Sequence, residues 1–138
     1  MNRRGFLAGV GAAATATLSG CAVLQTDAQG DVQMRATSFD PAKYTVEVGD
    51  EVMWYNPSTR SHTVTAYENA IPDGAEYFAS GGYDSEEAAR EAWSDGGFGG
   101  AVTSGESYSH TFEVAGTYNY VCIPHEQGGM VGRVVVEE

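Results

Sequence analysis

The chain has 138 residues and a formal net charge of −12, with seven basic residues against 19 acidic ones. That length suits one domain with a single sizeable core, and 18 glycines with 11% aromatic residues fit a turn-rich β protein better than a helix bundle. So acidic a surface excludes a nucleic-acid binder, whose affinity comes from basic side chains set against phosphates.

The N-terminus stands apart from the rest. Arg3-Arg4-Gly5-Phe6-Leu7 is a twin-arginine start, followed by a small, apolar stretch from Phe6 to Leu18 and then by Leu18-Ser19-Gly20-Cys21. This pattern reads as an export signal over residues 1–20 with a lipoprotein cleavage box, which makes Cys21 the lipidated first residue of the mature chain. The competing reading is a short transmembrane anchor. Thirteen weakly hydrophobic residues cannot cross about 30 Å of hydrocarbon. Residues 21–30 then form a polar, lipidated tether with a reach of at most about 30 Å, so the expected location is the extracytoplasmic face of the cell membrane. Arg3 and Arg4 leave with the signal, so five basic residues face 19 acidic ones, a net charge of −14, and Lys43 is the sole lysine. The acids are scattered along the chain, which fits solubility in high salt; a docking face for a cationic partner is the alternative.

A single domain is expected over residues 31–138. Val32 to Ala36 alternates and reads as a first strand, Tyr44 to Val48 as a second, with Gly49-Asp50 as a turn. Glu51 to Asn56, stopped by Pro57, is a third, and His62 to Ala66 a fourth. From Tyr67 to Glu106 a Gly-rich region interrupts the pattern. Within it Asp84-Ser85-Glu86-Glu87 is a capping box that leads into a short helix, Ala88 to Trp93, with Trp93 as its anchor. So short a helix must pack on the sheet to be stable. Strands resume at Ser107 to Val114, Gly116 to Val121 and Val131 to Val136. Seven to eight short strands with turns between them indicate an all-β, antiparallel Greek-key β-sandwich with one short inserted helix.

The chemistry concentrates in Tyr120-Val-Cys-Ile-Pro-His-Glu-Gln-Gly-Gly-Met130, with His62 sixty residues before Cys122. Taken singly, a His or a Met is more often a structural residue. Together, Cys122, His125, Met130 and His62 offer one thiolate, two imidazoles and one thioether. That soft donor set favours copper, with the thioether as a weak, long axial ligand. With Cys21 acylated, Cys122 is the only thiol left, so no intrachain disulfide is expected. Coordination would also protect it from oxidation outside the cell. Pro124 removes a backbone N–H that could otherwise donate to the Cys122 sulfur. The third histidine, His110, has no motif partner and reads as structural, as do Trp54, Phe112, Met34 and Met53.

On these residues the chain resembles the small blue copper proteins of the cupredoxin family, and most closely the halocyanins. The matching stretches are Tyr120 to His125, Gly129-Met130 and Val134 to Val136, with Gly49-Asp50, Val52, Trp54, Asn56 and His62-Thr63-Val64 upstream. Plastocyanins and pseudoazurins share the two-residue and four-residue gaps of the Cys/His/Met loop. The resemblance implies a plastocyanin-like domain with one type 1 copper per chain, held by His62, Cys122, His125 and Met130. It implies a monomeric one-electron carrier, not an enzyme, serving electron donor and acceptor proteins of a respiratory chain. Many relatives have Asn after the first His where this chain has Thr63, so the reduction potential does not carry over. A copper nitrite reductase would need a second site built from additional His ligands, and His110 is the only spare. A copper carrier or storage protein would expose Met- or Cys-rich ligands instead.

Overall fold

A computed structural model describes residues 30–138. The expected export signal, the expected lipidation site Cys21 and nearly all of the expected tether lie outside the described residues. Eight strands run in chain order: β1 (Val32–Met34), β2 (Phe39–Asp40), β3 (Lys43–Glu47), β4 (Glu51–Tyr55), β5 (Thr65–Ala66), β6 (Ser107–Thr111), β7 (Gly116–Val121) and β8 (Val131–Glu137). One helix, α1 (Glu86–Ser94), and two 3-10 segments, Glu68–Ala70 and Ile123–Gly128, complete the set.

The strands form two four-stranded sheets, ordered β2-β1-β4-β6 and β3-β8-β7-β5. Both are mixed. β1 runs parallel to β4, and β3 runs parallel to β8 over five residue pairs from Lys43↔Arg133 to Glu47↔Glu137. The remaining pairs are antiparallel, as expected from short strands joined by turns. The parallel pairs arise where a strand meets one far from it in sequence, so no hairpin turn fixes its direction.

Alternation decides which face is buried. Along β4, Val52 and Trp54 point inward while Glu51 is exposed; along β8, Val134 and Val136 point inward while Arg133 and Glu137 are exposed. Trp54 lies at the centre of the core, with its ring centroid 5.3 Å from Tyr120, 5.7 Å from Tyr108 and 6.0 Å from Phe78. Phe112 and Met34 are buried with it, as their pattern indicates. Burying rings of this size supplies much of the driving force for so small a domain.

The helix forms where the sequence marks it. Ser85 caps it by accepting the Ala88 N–H at 3.1 Å, Glu86 and Glu87 occupy the first turn, and Gly96 follows the C-cap with φ +98°. Its buried residue is Ala89 rather than Trp93. Trp93 is only half-buried and packs on Phe98 at 5.0 Å, at the edge of a surface groove. The expected fourth strand is shorter than its alternation suggests. His62 pairs with Val102 in an isolated bridge, and only Thr65–Ala66 joins β7. On its other side this segment is held by Phe78 to Ser80, where Ser80 N–H donates to Val64 O at 2.7 Å and Ala66 N–H donates to Phe78 O at 3.1 Å.

Candidate metal centre

Pairing of β5 with the end of β7 brings two distant segments together. The register Thr65↔Val121 and Ala66↔Tyr120 places the stretch before β5, which carries His62, beside Cys122 at the exit of β7. Thr63 makes the closest tie. Its Oγ1 accepts the Ile123 N–H at 2.9 Å and a hydrogen bond from Thr65 Oγ1 at 3.1 Å.

Three donor atoms converge here. Cys122 Sγ lies 3.5 Å from His62 Nδ1 and 3.3 Å from His125 Nδ1, and the three atoms fall within 4.8 Å of one another. Ligand bonds of about 2.0 to 2.3 Å place neighbouring donors about 3.5 Å apart, so this spacing suits one shared ion. His62 and Cys122 are fully buried, while His125 is half-buried with its ring centroid 4.9 Å from that of His62. Met130 is also fully buried, and its backbone closes the loop: Cys122 N–H donates to Met130 O at 3.0 Å and Met130 N–H to His125 O at 3.2 Å. His125 breaks the 3-10 segment with φ −120°, and Gly129 turns the chain back with φ +88°, a left-handed conformation that favours glycine.

The donors are in the states that metal binding requires, or one proton away. Burial lowers the pKa of His62 to about 4, with the charges of His125 and Arg60 adding to the effect. His125 is lowered by burial and then by Arg60. Both imidazoles are therefore neutral near pH 7 and offer a free lone pair. Burial pushes the Cys122 thiol up to about 11, against the opposing pull of the Thr63 N–H. Metal binding must therefore displace that proton. The sulfur accepts one N–H hydrogen bond in the structure, from Thr63 at 3.5 Å; Pro124, two residues after Cys122, has no N–H to give.

Behind His62 lies a chain of partners that the sequence alone did not assign. His62 Nε2 stands 3.1 Å from Ser58 Oγ, and Ser58 Oγ donates to Asn56 Oδ1 at 2.7 Å. Asn56 is fully buried, and its Nδ2 donates to Arg60 O at 2.6 Å and Val102 O at 2.8 Å. A metal bound at Nδ1 would leave the ring proton on Nε2, which then donates to Ser58 and fixes the ring plane. The only sequence signal for this network was Asn56 itself. On the outer side, His125 lines a groove of about 650 Å³ together with Arg60, Trp93, Phe98 and Pro124. His110 is elsewhere, stacked on Phe78 at 4.8 Å and edge-on to Phe112.

The family described as copper binding proteins, plastocyanin/azurin family, matches residues 26–137. The chain belongs to that family. It is 35% identical to the chloroplast plastocyanin of Tetradesmus obliquus over 102 residues, which are 74% of this chain and 60% of that one. Against the plastocyanin of Scenedesmus fuscus it is 32% identical over 102 residues, covering 89% of the relative. Among solved structures it is similar to a reduced amicyanin variant, with TM-score 0.54, 29% identity and coverage of 77% of this chain and 79% of that one. It is likewise similar to the pseudoazurin of Methylobacterium extorquens, with TM-score 0.54, 27% identity and coverage of 78% and 73%. These likenesses confirm the cupredoxin sandwich and make the chain a cupredoxin-type electron carrier. They also make copper its metal, with His62, Cys122 and His125 as the candidate type 1 site and Met130 beside it.

Proposed function

We propose that this member of the plastocyanin/azurin family is a halocyanin-like one-electron carrier, with His62, Cys122, His125 and Met130 as the ligands of one type 1 copper. The observation that carries this reading is the convergence of one sulfur and two imidazole nitrogens within 4.8 Å in a buried site. Bound copper supplies a couple that gives up and takes back one electron. The protein holds the donors still while that happens. Thr63 joins the two ligand-bearing segments, Ser58 and Asn56 fix the His62 ring, and the loop from Cys122 to Met130 is closed by its own backbone bonds. A scaffold that does not rearrange between the two oxidation states keeps the reorganisation cost of transfer low. His125 alone among the proposed ligands combines a place at the metal with a place in the groove wall, so it is the route by which electrons enter and leave.

The chain is further proposed to work as a lipid-anchored, monomeric protein on the outer face of the cytoplasmic membrane, passing electrons between membrane-associated respiratory partners. The twin-arginine start and Leu18-Ser19-Gly20-Cys21 support that location. The surplus of acidic residues supports a salty medium. Voltammetry of the copper-loaded protein tests the carrier reading. A reversible one-electron wave is expected, and an irreversible or absent wave would refute it. Fractionation of cells making wild type and Cys21→Ser tests the anchor. The wild type should stay with membranes, whereas Cys21→Ser should turn soluble or remain unprocessed. Equal membrane binding by both would remove the lipid from the account.

A further inference from the structure

Arg90 of the inserted helix reaches the ligand loop. Arg90 Nη1 and Nη2 donate to Glu126 Oε1 and Oε2 at 2.8 and 3.2 Å, and Arg90 Nε donates to Glu86 Oε2 at 2.9 Å. The Tyr67 hydroxyl donates to the same Glu126 Oε2 at 2.9 Å. Glu86 in turn is locked to Glu68: its carboxylate accepts the Glu68 N–H at 2.9 Å, and its own N–H donates to Glu68 Oε1 at 3.0 Å. Because Glu68 follows β5 closely, the network runs from the sheet through α1 to the loop. Glu126 is the residue after His125 and lies between it and Met130. Apart from the contact between Cys122 and His125, its carboxylate makes all the side-chain hydrogen bonds of residues 124–129 in the described structure. The other ties along this stretch are backbone bonds within the loop and at its exit, from His125 N–H to Cys122 O, Gly129 N–H to Glu126 O, Met130 N–H to His125 O and Val131 N–H to Gly129 O. Such bonds shape the loop but do not place it against the rest of the domain.

We propose that Arg90 is a positioning residue for the metal centre: from α1 it grips Glu126, and so sets where the loop holds His125 and Met130. The proposal rests on the copper-carrier reading above. Magnitudes separate this role from a stabilising one. Arg90 and Glu126 are 33% and 35% exposed, and ion pairs with that much water contribute little to folding. A planar guanidinium making two parallel bonds to one carboxylate nevertheless fixes direction as well as distance. The expected signature is a disturbed site in a domain that melts almost as before.

The test compares copper-loaded wild type with Arg90→Met, Glu126→Gln, Arg90→Lys and the Arg90→Met/Glu126→Gln double variant. It follows the visible spectrum, the rate of copper loss to EDTA, and the thermal midpoint. Arg90→Met and Glu126→Gln should each speed copper loss about fivefold or more and alter the relative intensities of the visible bands. The double variant should be no worse than either alone, as befits one shared interaction. Arg90→Lys should recover only part of the effect, since an ammonium lacks the fork. Loss rates within about twofold of wild type, with unchanged spectra, would overturn the proposal. Should Arg90→Met fail to fold, Tyr67→Phe removes one donor to Glu126 and should shift the same readouts by less; no shift there would also overturn it. A wild type without the blue band would refute the carrier reading instead. Amide exchange in the metal-free chain then decides. Faster exchange at Gly129 and Met130 in Glu126→Gln supports the clamp, and equal exchange ends it.

Discussion

Thr63 Oγ1 accepts the Ile123 N–H at 2.9 Å, which ties the residue after the first histidine of the site to the residue after its cysteine, 60 positions along the chain. Thr63 closes this seam with a short side chain that is itself buried. Thr63→Val keeps the shape and deletes the acceptor, leaving a half-buried N–H unpaired. The expected cost is about 1 to 3 kcal/mol of stability, measured by chemical denaturation of the metal-free domain. Thr63→Ser should recover most of it. A Thr63→Val protein as stable as wild type would show that the seam is held elsewhere.

Met130 is fully buried, so Met130→Leu replaces it with a side chain of similar volume at a cost under about 1.5 kcal/mol. Copper should be retained, because the thiolate and the two imidazoles remain. The midpoint potential should rise, since a weak axial donor helps Cu(II) more than Cu(I). A measured fall in potential would contradict the axial assignment.

Acid should weaken the metal-free fold through His62. Its folded pKa is lowered to about 4, by burial first and then by His125 and Arg60, whereas an unfolded histidine titrates near about 6.5. Between those values the unfolded chain binds the extra proton, so stability falls as pH drops through the window and is unaffected by this group above it. His125 and His110, both lowered chiefly by burial, act in the same direction. Thermal midpoints of the metal-free chain from about pH 7 to about pH 5 check the sign. A flat or rising midpoint on acidification would be the contrary result.

Salt should strengthen the domain. Residues 21–138 carry five basic residues against 19 acidic ones, leaving repulsion that screening removes, its reach falling from about 10 Å at 0.1 M to about 3 Å at 1 M. The groove beside His125 is lined by Arg60 and apolar or hydroxyl-bearing residues and by no acid, which sets the acidic surplus apart from the proposed electron route. Rising salt is therefore expected to raise the thermal midpoint and leave electron transfer with a partner largely intact. A midpoint that is flat or falls, beside a transfer rate that collapses, would favour acids acting as a docking face.

What could be read from the sequence was mostly local. Cys122, His125 and Met130 share one short loop, and the alternation in β4 and β8 marks which residues face the core. His62, sixty residues upstream, completes that donor set, and the end of β7 beside β5 shows how it arrives there. The parallel pairings of β1 with β4 and β3 with β8 were not legible, because strand direction between remote segments leaves no local pattern. Trp93 looked like a core anchor because a large aromatic on a short helix usually is one; here the small Ala89 faces inward and the indole covers the groove edge. Ser58 behind His62, and Arg90 across from Glu126 at a separation of 36 residues, are ordinary surface residue types until the fold brings them together.

The most direct measurement is the visible spectrum of the copper-loaded protein, wild type beside Cys122→Ser. Among the described residues Cys122 is the one free cysteine, buried with its sulfur 3.3 and 3.5 Å from two imidazole nitrogens. A thiolate bound to Cu(II) gives an intense blue charge-transfer band, and a serine hydroxyl is a poor substitute for that soft donor. The oxidised wild type should be blue, bleach reversibly on reduction and recover on reoxidation, while Cys122→Ser should be colourless at the same copper loading. A Cys122→Ser protein that stays intensely blue with copper bound, or a wild type that binds copper without colour, would contradict the assignment of this site.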